Sequence, residues 1–272
     1  MELGPRVASG ATADVYALRD GWVLKLFETG TARETVEREA ENTRIAATTG
    51  TPVPAVREVV RVNDRHGIVL SRVTGSLVVD GIGARPWRVV GDARRFARLH
   101  ASIHARPAPS LPPLRERLAD RIDDGPLTPA ACEYLTTRLD ALPAGDALCH
   151  GDFHPANVFR TTDGPVVIDW LDATNGHPAT DVARTLLLVR FGALPSETVR
   201  RAVDCPLRTL FERAYRREYC SETGVTLAAI HAWELPVAAA RLAEDAADDR
   251  LREWVADRLQ RANIPAFTAG GR

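Results

Sequence analysis

Lysine is almost missing from this sequence. Among 35 basic residues, 34 are arginines and one, Lys25, is a lysine. Arginine so dominant beside abundant alanine reads as a coding bias that places arginine wherever either cation serves. A lysine kept against that bias marks a position for a compact ammonium, which meets phosphate oxygens as a point charge. Composition also leaves open the plainer reading, a surface lysine retained by chance. Cysteine is scarce too. Cys132, Cys149, Cys205 and Cys220 form no C-x-x-C pair and no metal-like spacing with histidine. That excludes a disulfide scaffold or zinc module and fits a reduced, cytosolic setting. No apolar run approaches the roughly 20 residues that span a bilayer, and Met1–Arg6 lacks the apolar core of a signal peptide. The net charge of −1 supplies no global field for nucleic acid or an anionic membrane. The expectation is a cytoplasmic protein, monomer or homodimer, with neither as a partner.

What is present is ordinary for a soluble globular chain: 272 residues, 45% hydrophobic and 26% charged. That is enough for one large domain or two lobes. The first seventy residues read mostly as strands. Val7–Gly10 leads into Asp14–Leu18, and Arg19-Asp20-Gly21 signals a turn before the strand Trp22–Phe27. Thr31–Thr49 has helix-compatible apolar positions and ends at Gly50. Pro52 and Pro54 force an extended link. Val56–Val62 and Gly67–Val73 form a second pair around an Asn63–His66 turn. Beyond Thr74 the pattern turns helical: Asp92–His104, Leu114–Ile122, Pro129–Leu142, then most of Asp181–Asn263, with a frayed tail from Thr268. Strands return briefly between Leu148 and Trp170, where Val158–Arg160 and Val166–Ile168 flank the Asp163-Gly164 turn. The predicted fold class is α+β, with a small β-rich lobe over residues 1–73 and a larger helical lobe over 74–272. No internal repeat is visible.

The densest polar chemistry lies in Leu148-Cys149-His150-Gly151-Asp152-Phe153-His154-Pro155-Ala156-Asn157-Val158-Phe159. Twelve residues past Asn157, at the end of an apolar strand, stands Ile168-Asp169-Trp170. Phosphoryl transfer needs a carboxylate near the attacking hydroxyl, ligands for magnesium, and positive charge on the phosphates. Magnesium takes hard oxygen donors, commonly one or two protein carboxylates. Asp152, Asn157 and Asp169 are the right donor types. Asp-x4-Asn alone is a weak signal. Preceded by His-Gly and followed by a hairpin and an apolar-strand Asp, it is strong.

These residues, with Val167-Ile168-Asp169-Trp170 and Gly176-His177-Pro178-Ala179-Thr180-Asp181-Val182-Ala183-Arg184, resemble the aminoglycoside phosphotransferase and choline kinase superfamily. The resemblance spans about residues 9–188 and implies a two-lobed, protein-kinase-like fold. It implies ATP or GTP as co-substrate with Mg2+, Asp152 as catalytic base, Asn157 and Asp169 as metal ligands, and Asp181 as a structural anchor. It places Lys25 on the α- and β-phosphates with a carboxylate partner on the next helix. Glu39 aligns best with that pattern; Glu37 and Glu41 share a face roughly opposite to it. Ser9–Val15 would be the loop over the phosphates, with Gly10 as its lone glycine, although an ordinary hairpin turn reads equally well. Ser71 and Val73 would meet the purine through backbone atoms. His150 is expected to brace the loop, and His154 leaves contact with phosphate or metal and simple packing both open. Arg94-Arg95, Arg216-Arg217 and the acidic run Glu244–Asp249 read as solvated helix faces or ends, although the acidic run would suit a polycationic acceptor.

Three features argue against a protein kinase: His-Gly-Asp rather than His-Arg-Asp, Asp-Trp-Leu rather than Asp-Phe-Gly, and only eleven residues between Asp169 and Asp181. The expected acceptor is a hydroxylated small molecule. An antibiotic such as an aminoglycoside is favoured, which would make this a resistance enzyme. Choline, ethanolamine, homoserine or a sugar is the metabolic alternative, and a non-catalytic pseudokinase scaffold is a third reading.

Overall fold

The computed structural model describes residues 3–10, 12–192, 205–244 and 249–267. Along the chain run β1 (Arg6–Ser9), β2 (Ala13–Ala17), β3 (Trp22–Phe27), α1 (Arg33–Thr48), β4 (Val56–Val62), β5 (Arg65–Ser71), β6 (Ser76–Leu77), α2 (Val78–Ala84) and α3 (Val89–His104). There follow α4 (Leu114–Asp123), α5 (Pro129–Asp140), β7 (Ala147–Cys149), β8 (Val158–Thr161), β9 (Gly164–Val167) and β10 (Thr174–Gly176). The last described elements are α6 (Pro178–Phe191), α7 (Cys205–Thr223), α8 (Leu227–Arg241) and α9 (Asp249–Arg261). None of the helices among the described residues is long and apolar enough to cross a membrane.

By compactness the chain divides into two units, residues 1–81 with 155–173 and residues 82–154 with 174–272. The hairpin that follows the His-Gly-Asp loop therefore groups with the N-terminal strands. A division at residue 73 by sequence had grouped it with the helices.

The first unit is built on an antiparallel sheet of order β1-β2-β3-β5-β4. Alternation along β3 explains its two-sided packing. Leu24 and Leu26 join Val69 on one face, while Phe27 packs with Val36 and Ala40 of α1 on the other. Lys25 shares the Phe27 face, its ammonium 5.1 Å from the ring centroid. The α1 positions 36, 39, 40, 42, 43 and 46 are the buried ones, which is the helical spacing of a single broad face. The expected Asp20-Gly21 turn forms, with both residues at positive φ. The second hairpin is tighter than predicted. Val62 pairs with Arg65, so the turn is the two residues Asn63 and Asp64, with Asn63 at φ 53°. Strand β5 consequently starts and ends two residues earlier. Strands β6, β8 and β9 form a separate sheet of the same unit, in that order.

In the second unit α3 packs against α7 around Phe96, Phe153, Tyr215 and Tyr219, all at most 3% exposed. Phe96 stacks on Phe153 with centroids 4.2 Å apart. Strands β7 and β10 pair antiparallel, which the sequence did not signal because each has only three residues. Thr128 and Thr226 cap α5 and α8, each hydroxyl accepting from a backbone amide one turn on. The predicted frayed tail, Thr268 onward, lies outside the described residues.

Candidate functional site

In the first unit, three residues picked from sequence meet. Lys25 Nζ donates to Glu39 Oε1 at 2.7 Å and to Asp169 Oδ1 at 3.1 Å. Strand β3 aims the lysine at the α1 face, and Val36 and Ala40 carry Glu39 into the same layer. Among the three candidate glutamates only Glu39 is buried; Glu37 and Glu41 pair with arginines at the surface. Asp169 is brought in by β9 and the segment after it. Val167 N donates to Pro52 O at 2.8 Å and Ile168 N to Asn157 O at 3.0 Å. Asn42 of α1 grips the following turn, its amide donating to Trp170 O and Leu171 O at 2.9 and 3.1 Å. Asp169 itself adopts φ 68°, a left-handed conformation uncommon for a side chain larger than glycine's.

The cluster holds two carboxylates for one ammonium. Burial pushes the Glu39 carboxyl up; Lys25 opposes that and the Asp169 charge adds to it, leaving it at about 7. For Lys25, burial opposes the charge, yet Glu39 and Asp169 together outweigh it and raise the ammonium's pKa. Glu39 Oε2 is buried without a hydrogen-bond partner among the described residues. The Asp169 side chain is 37% exposed, against 3% for Glu39. Asp169 and the buried Asn157 offer only oxygen ligands from one carboxylate and one amide. That donor set, the partial exposure of Asp169 and the excess negative charge fit magnesium, which retains waters and phosphate oxygens in its shell.

The remaining residues of the first unit are less decisive. Gly10 is exposed in the β1–β2 turn, where its amide donates to Ala13 O. Its φ is not in the left-handed region, and among the described residues an added Cβ would meet Ala13 O at 3.4 Å, an ordinary contact, so neither backbone conformation nor crowding by the protein itself requires glycine there. Ser71 is committed twice to the sheet edge: its amide donates to Ala55 O and its hydroxyl accepts from Ala55 N. Val73 lies two residues beyond, half-buried.

In the second unit, His150-Gly151-Asp152 is held mainly by its backbone. Gly151 has φ 80°, which a residue with a Cβ adopts only under strain. His150 N and Gly151 N donate to Asp181 Oδ2 and Oδ1 at 2.6 and 3.0 Å. Asp152 N donates to His150 Nδ1 at 3.1 Å, so His150 braces the loop as expected. His154 turns to Asp152, with Nε2 to Oδ2 at 3.3 Å. Burial raises the Asp152 carboxyl, but the His154 hydrogen bond and charge, helped by Arg184 and His150, hold it far below the usual carboxylate range. Asp152 is therefore ionised at neutral pH and can accept a proton.

Arg184 was missed as a functional candidate. It is buried, its Nε donates to Gly151 O, and its two terminal nitrogens grip Glu244 bidentately, both at 2.8 Å. Glu244 also receives Arg121. Glu244 stands just past the end of α8 and is exposed, as the solvated-helix-end reading has it, but two guanidiniums also engage its carboxylate; Asp245 to Asp248 lie outside the described residues. Arg184 stands three residues after Asp181 on α6, a spacing that puts both on one helix face and was readable in advance. The pairing with Glu244, sixty residues away, was not.

Sequence comparison identifies residues 4–219 with a family described as "Phosphotransferase enzyme family". No curated protein matches the chain. Among solved structures it is similar to an aminoglycoside-3'-phosphotransferase of type VIII (23% identity, TM-score 0.58, covering 88% of this chain and 93% of that one). It is also similar to a putative fructosamine-3-kinase from Haemophilus somnus 129PT, with 12% identity, TM-score 0.62 and 94% and 90% coverage. A third is an amicoumacin kinase solved with AMP-PNP and Ca2+, with 14% identity, TM-score 0.54 and 95% and 88% coverage. At these identities the likeness shows the fold, which is protein-kinase-like.

Proposed function

Since the chain belongs to the phosphotransferase enzyme family and is a small-molecule kinase that acts on a hydroxyl, we propose the division of labour among its residues. Asp152 is the catalytic carboxylate. Lys25, oriented by Glu39, contacts the phosphates of ATP or GTP, and Asn157 and Asp169 hold magnesium. The observation that carries this reading is the position of the sole lysine, between a buried glutamate and the more exposed Asp169. A compact ammonium between two carboxylates is not a surface cation retained by chance.

Magnesium, when bound, neutralises charge on the phosphates and orients them. The chain's own residues do the rest. Asp152, kept ionised beside His154, accepts the acceptor hydroxyl's proton as the oxygen attacks the γ-phosphorus and the bond from that phosphorus to the departing nucleoside diphosphate breaks. Asp181, Gly151 and Arg184 fix the backbone from which it projects, which matters because a positioned base is effective only within hydrogen-bond reach. Ser71 and Val73 would border the purine; with its amide committed to Ala55, Ser71 can offer only its carbonyl there among its backbone groups.

For the acceptor we propose a hydroxylated antibiotic, an aminoglycoside or another class. The His-Gly-Asp-Phe-His-Pro form and the short chain support it, and a resistance role in the cytoplasm would follow. The test is magnesium-dependent nucleoside diphosphate release, with ATP and with GTP, across antibiotics and metabolites, with Asp152→Ala beside the wild type. Asp152→Ala should lose about 10²- to 10⁴-fold in turnover while still binding nucleotide. Stimulation by one antibiotic class alone establishes the acceptor. Stimulation only by choline, an amino alcohol or a sugar moves the enzyme to metabolism. Near-full activity in Asp152→Ala would overturn the assignment of the base.

A further inference from the structure

Behind the catalytic loop lies a buried arrangement that the reaction itself does not use. His100 and His104 stand one turn apart on α3, and Tyr215 and Tyr219 one turn apart on α7. They pair in register. His100 Nδ1 is 2.7 Å from the Tyr215 hydroxyl and His104 Nδ1 is 2.6 Å from the Tyr219 hydroxyl. The opposite nitrogens converge on one atom, His100 Nε2 and His104 Nε2 lying 3.1 and 3.2 Å from Asp181 Oδ2. Both rings, both tyrosines and the carboxylate are at most 7% exposed.

The geometry fixes where the protons are. Asp181 Oδ2 already accepts the His150 amide, and a buried carboxylate faces only donors without penalty. Both Nε2 atoms must therefore carry hydrogen. A neutral imidazole protonated at Nε2 presents a lone pair at Nδ1, so each tyrosine hydroxyl must donate. Charge on the rings is ruled out at neutral pH for His100: burial, together with the neighbouring His104, depresses it to about 3. Each tyrosine thus selects the tautomer that lets its histidine donate to Asp181. Without the hydroxyl the ring can switch, placing a lone pair against the carboxylate. His100 reaches the loop a second way, its ring stacked on Phe153 at 4.0 Å.

We propose that Tyr215, Tyr219, His100 and His104 are positioning residues: the two hydroxyl–imidazole pairs lock Asp181, and through it the His150–Gly151 backbone that sets the aim of Asp152. This rests on Asp152 being the catalytic carboxylate. The same three side chains, His100, His104 and Asp181, have ligand atoms within 4.8 Å of one another, as a metal site would. Here, however, the shared oxygen and both Nε2 atoms are already engaged in hydrogen bonding.

Imidazole 15N spectra of the wild type should show both histidines carrying hydrogen at Nε2, with His100 unmoved between pH 5 and 8. Tyr215→Phe or Tyr219→Phe should shift its own histidine toward the Nδ1-protonated pattern and speed hydrogen exchange at the His150 and Gly151 amides. Turnover should fall about tenfold, the scale of a small misplacement of a reacting group. KM for nucleotide should be unchanged and the variant still folded at the assay temperature. The spectra and the exchange need no acceptor, so they decide the lock even if no phosphoryl transfer is found. Wild-type rings protonated at Nδ1 alone, a His100 that titrates near pH 6.5, or a stoichiometric metal ion at the cluster would overturn the proposal. So would phenylalanine variants with wild-type amide exchange and turnover.

Discussion

Glu39 and Asp181 are both carboxylates buried almost completely, at 2% exposure each, and their surroundings solve the problem of buried charge in opposite ways. Glu39 shares one ammonium with a second carboxylate and keeps an oxygen without a partner among the described residues. Among the described residues Asp181 meets only donors, two imidazoles and two backbone amides. The first arrangement leaves unspent negative charge at a partly exposed carboxylate, Asp169, and suits a group that awaits cationic and anionic ligands. The second is saturated and suits a group that must not move. Burial alone therefore does not tell a binding residue from a scaffold residue; the balance of partners does.

The largest effect should come from breaking the saturated side. Asp181→Ala would leave four buried donors without this acceptor, and each buried donor left unpaired costs about 1–3 kcal/mol. Urea unfolding should show that loss as a lower midpoint. A loss under about 1 kcal/mol would mean the carboxylate is not the hub drawn here. Lys25→Arg tests the other side. A guanidinium keeps the charge but not the shape, and charge-assisted hydrogen bonds contribute about 1.5–3 kcal/mol. Magnesium–nucleotide affinity should weaken by about ten- to a hundredfold with little change in unfolding midpoint. Unaltered affinity would return Lys25 to a purely structural role.

How far sequence could see follows the same divide. Lys25, Glu39, Asp152 and Asp169 were legible because chemistry constrains their residue type and spacing: a lone ammonium, an acid at the right helical position, two acids around a hairpin. The strands and helices of the first seventy residues followed from alternation and turn residues, with the register of β5 misjudged because Asn63 itself supplied the positive φ of a two-residue turn. Of the saturated hub only its centre was foreseen, Asp181 as a structural anchor implied by the family resemblance; its side-chain partners were not legible. His100 and His104 are visible as an i, i+4 pair, but their tyrosine partners are 115 positions away. Nor does Arg184 announce Glu244. Long-range partners of a structural polar group are set by packing, and no local spacing encodes them.

Opposite surroundings also predict opposite responses to pH. Glu39 has a folded pKa of about 7 against an ordinary 4.5. The native state thus keeps a proton the unfolded chain releases, and stability from this group falls as pH rises from about 4.5 to 7. His100 is depressed from 6.5 to about 3, so the unfolded chain binds the extra proton and stability is lost as pH falls from 6.5 toward 3. Between pH 4.5 and 6.5 the two slopes oppose one another. Glu39→Gln removes only the first. Its unfolding free energy should rise with pH across that window more steeply than the wild type's. Parallel curves for the two proteins would show that Glu39 does not titrate there.

Asp169 gives the smallest and most discriminating change. Its left-handed backbone costs about 1–2 kcal/mol for a residue with a Cβ, and its charge is one of those that push Glu39 upward. Its ion pair with Lys25 is over a third exposed on the carboxylate side, where such pairs contribute about 0–1 kcal/mol. Asp169→Gly removes the strain and the surplus charge together. The ligand-free protein should lose nothing and gain up to about 1 kcal/mol in unfolding free energy, while magnesium-dependent nucleotide binding disappears. Deleting a carboxylate then stabilises one cluster and unravels the other, the separation expected when one is arranged to bind and the other to hold. If Asp169→Gly destabilised the free protein as Asp181→Ala does, the first cluster would be a second structural hub, and its excess charge would need another explanation.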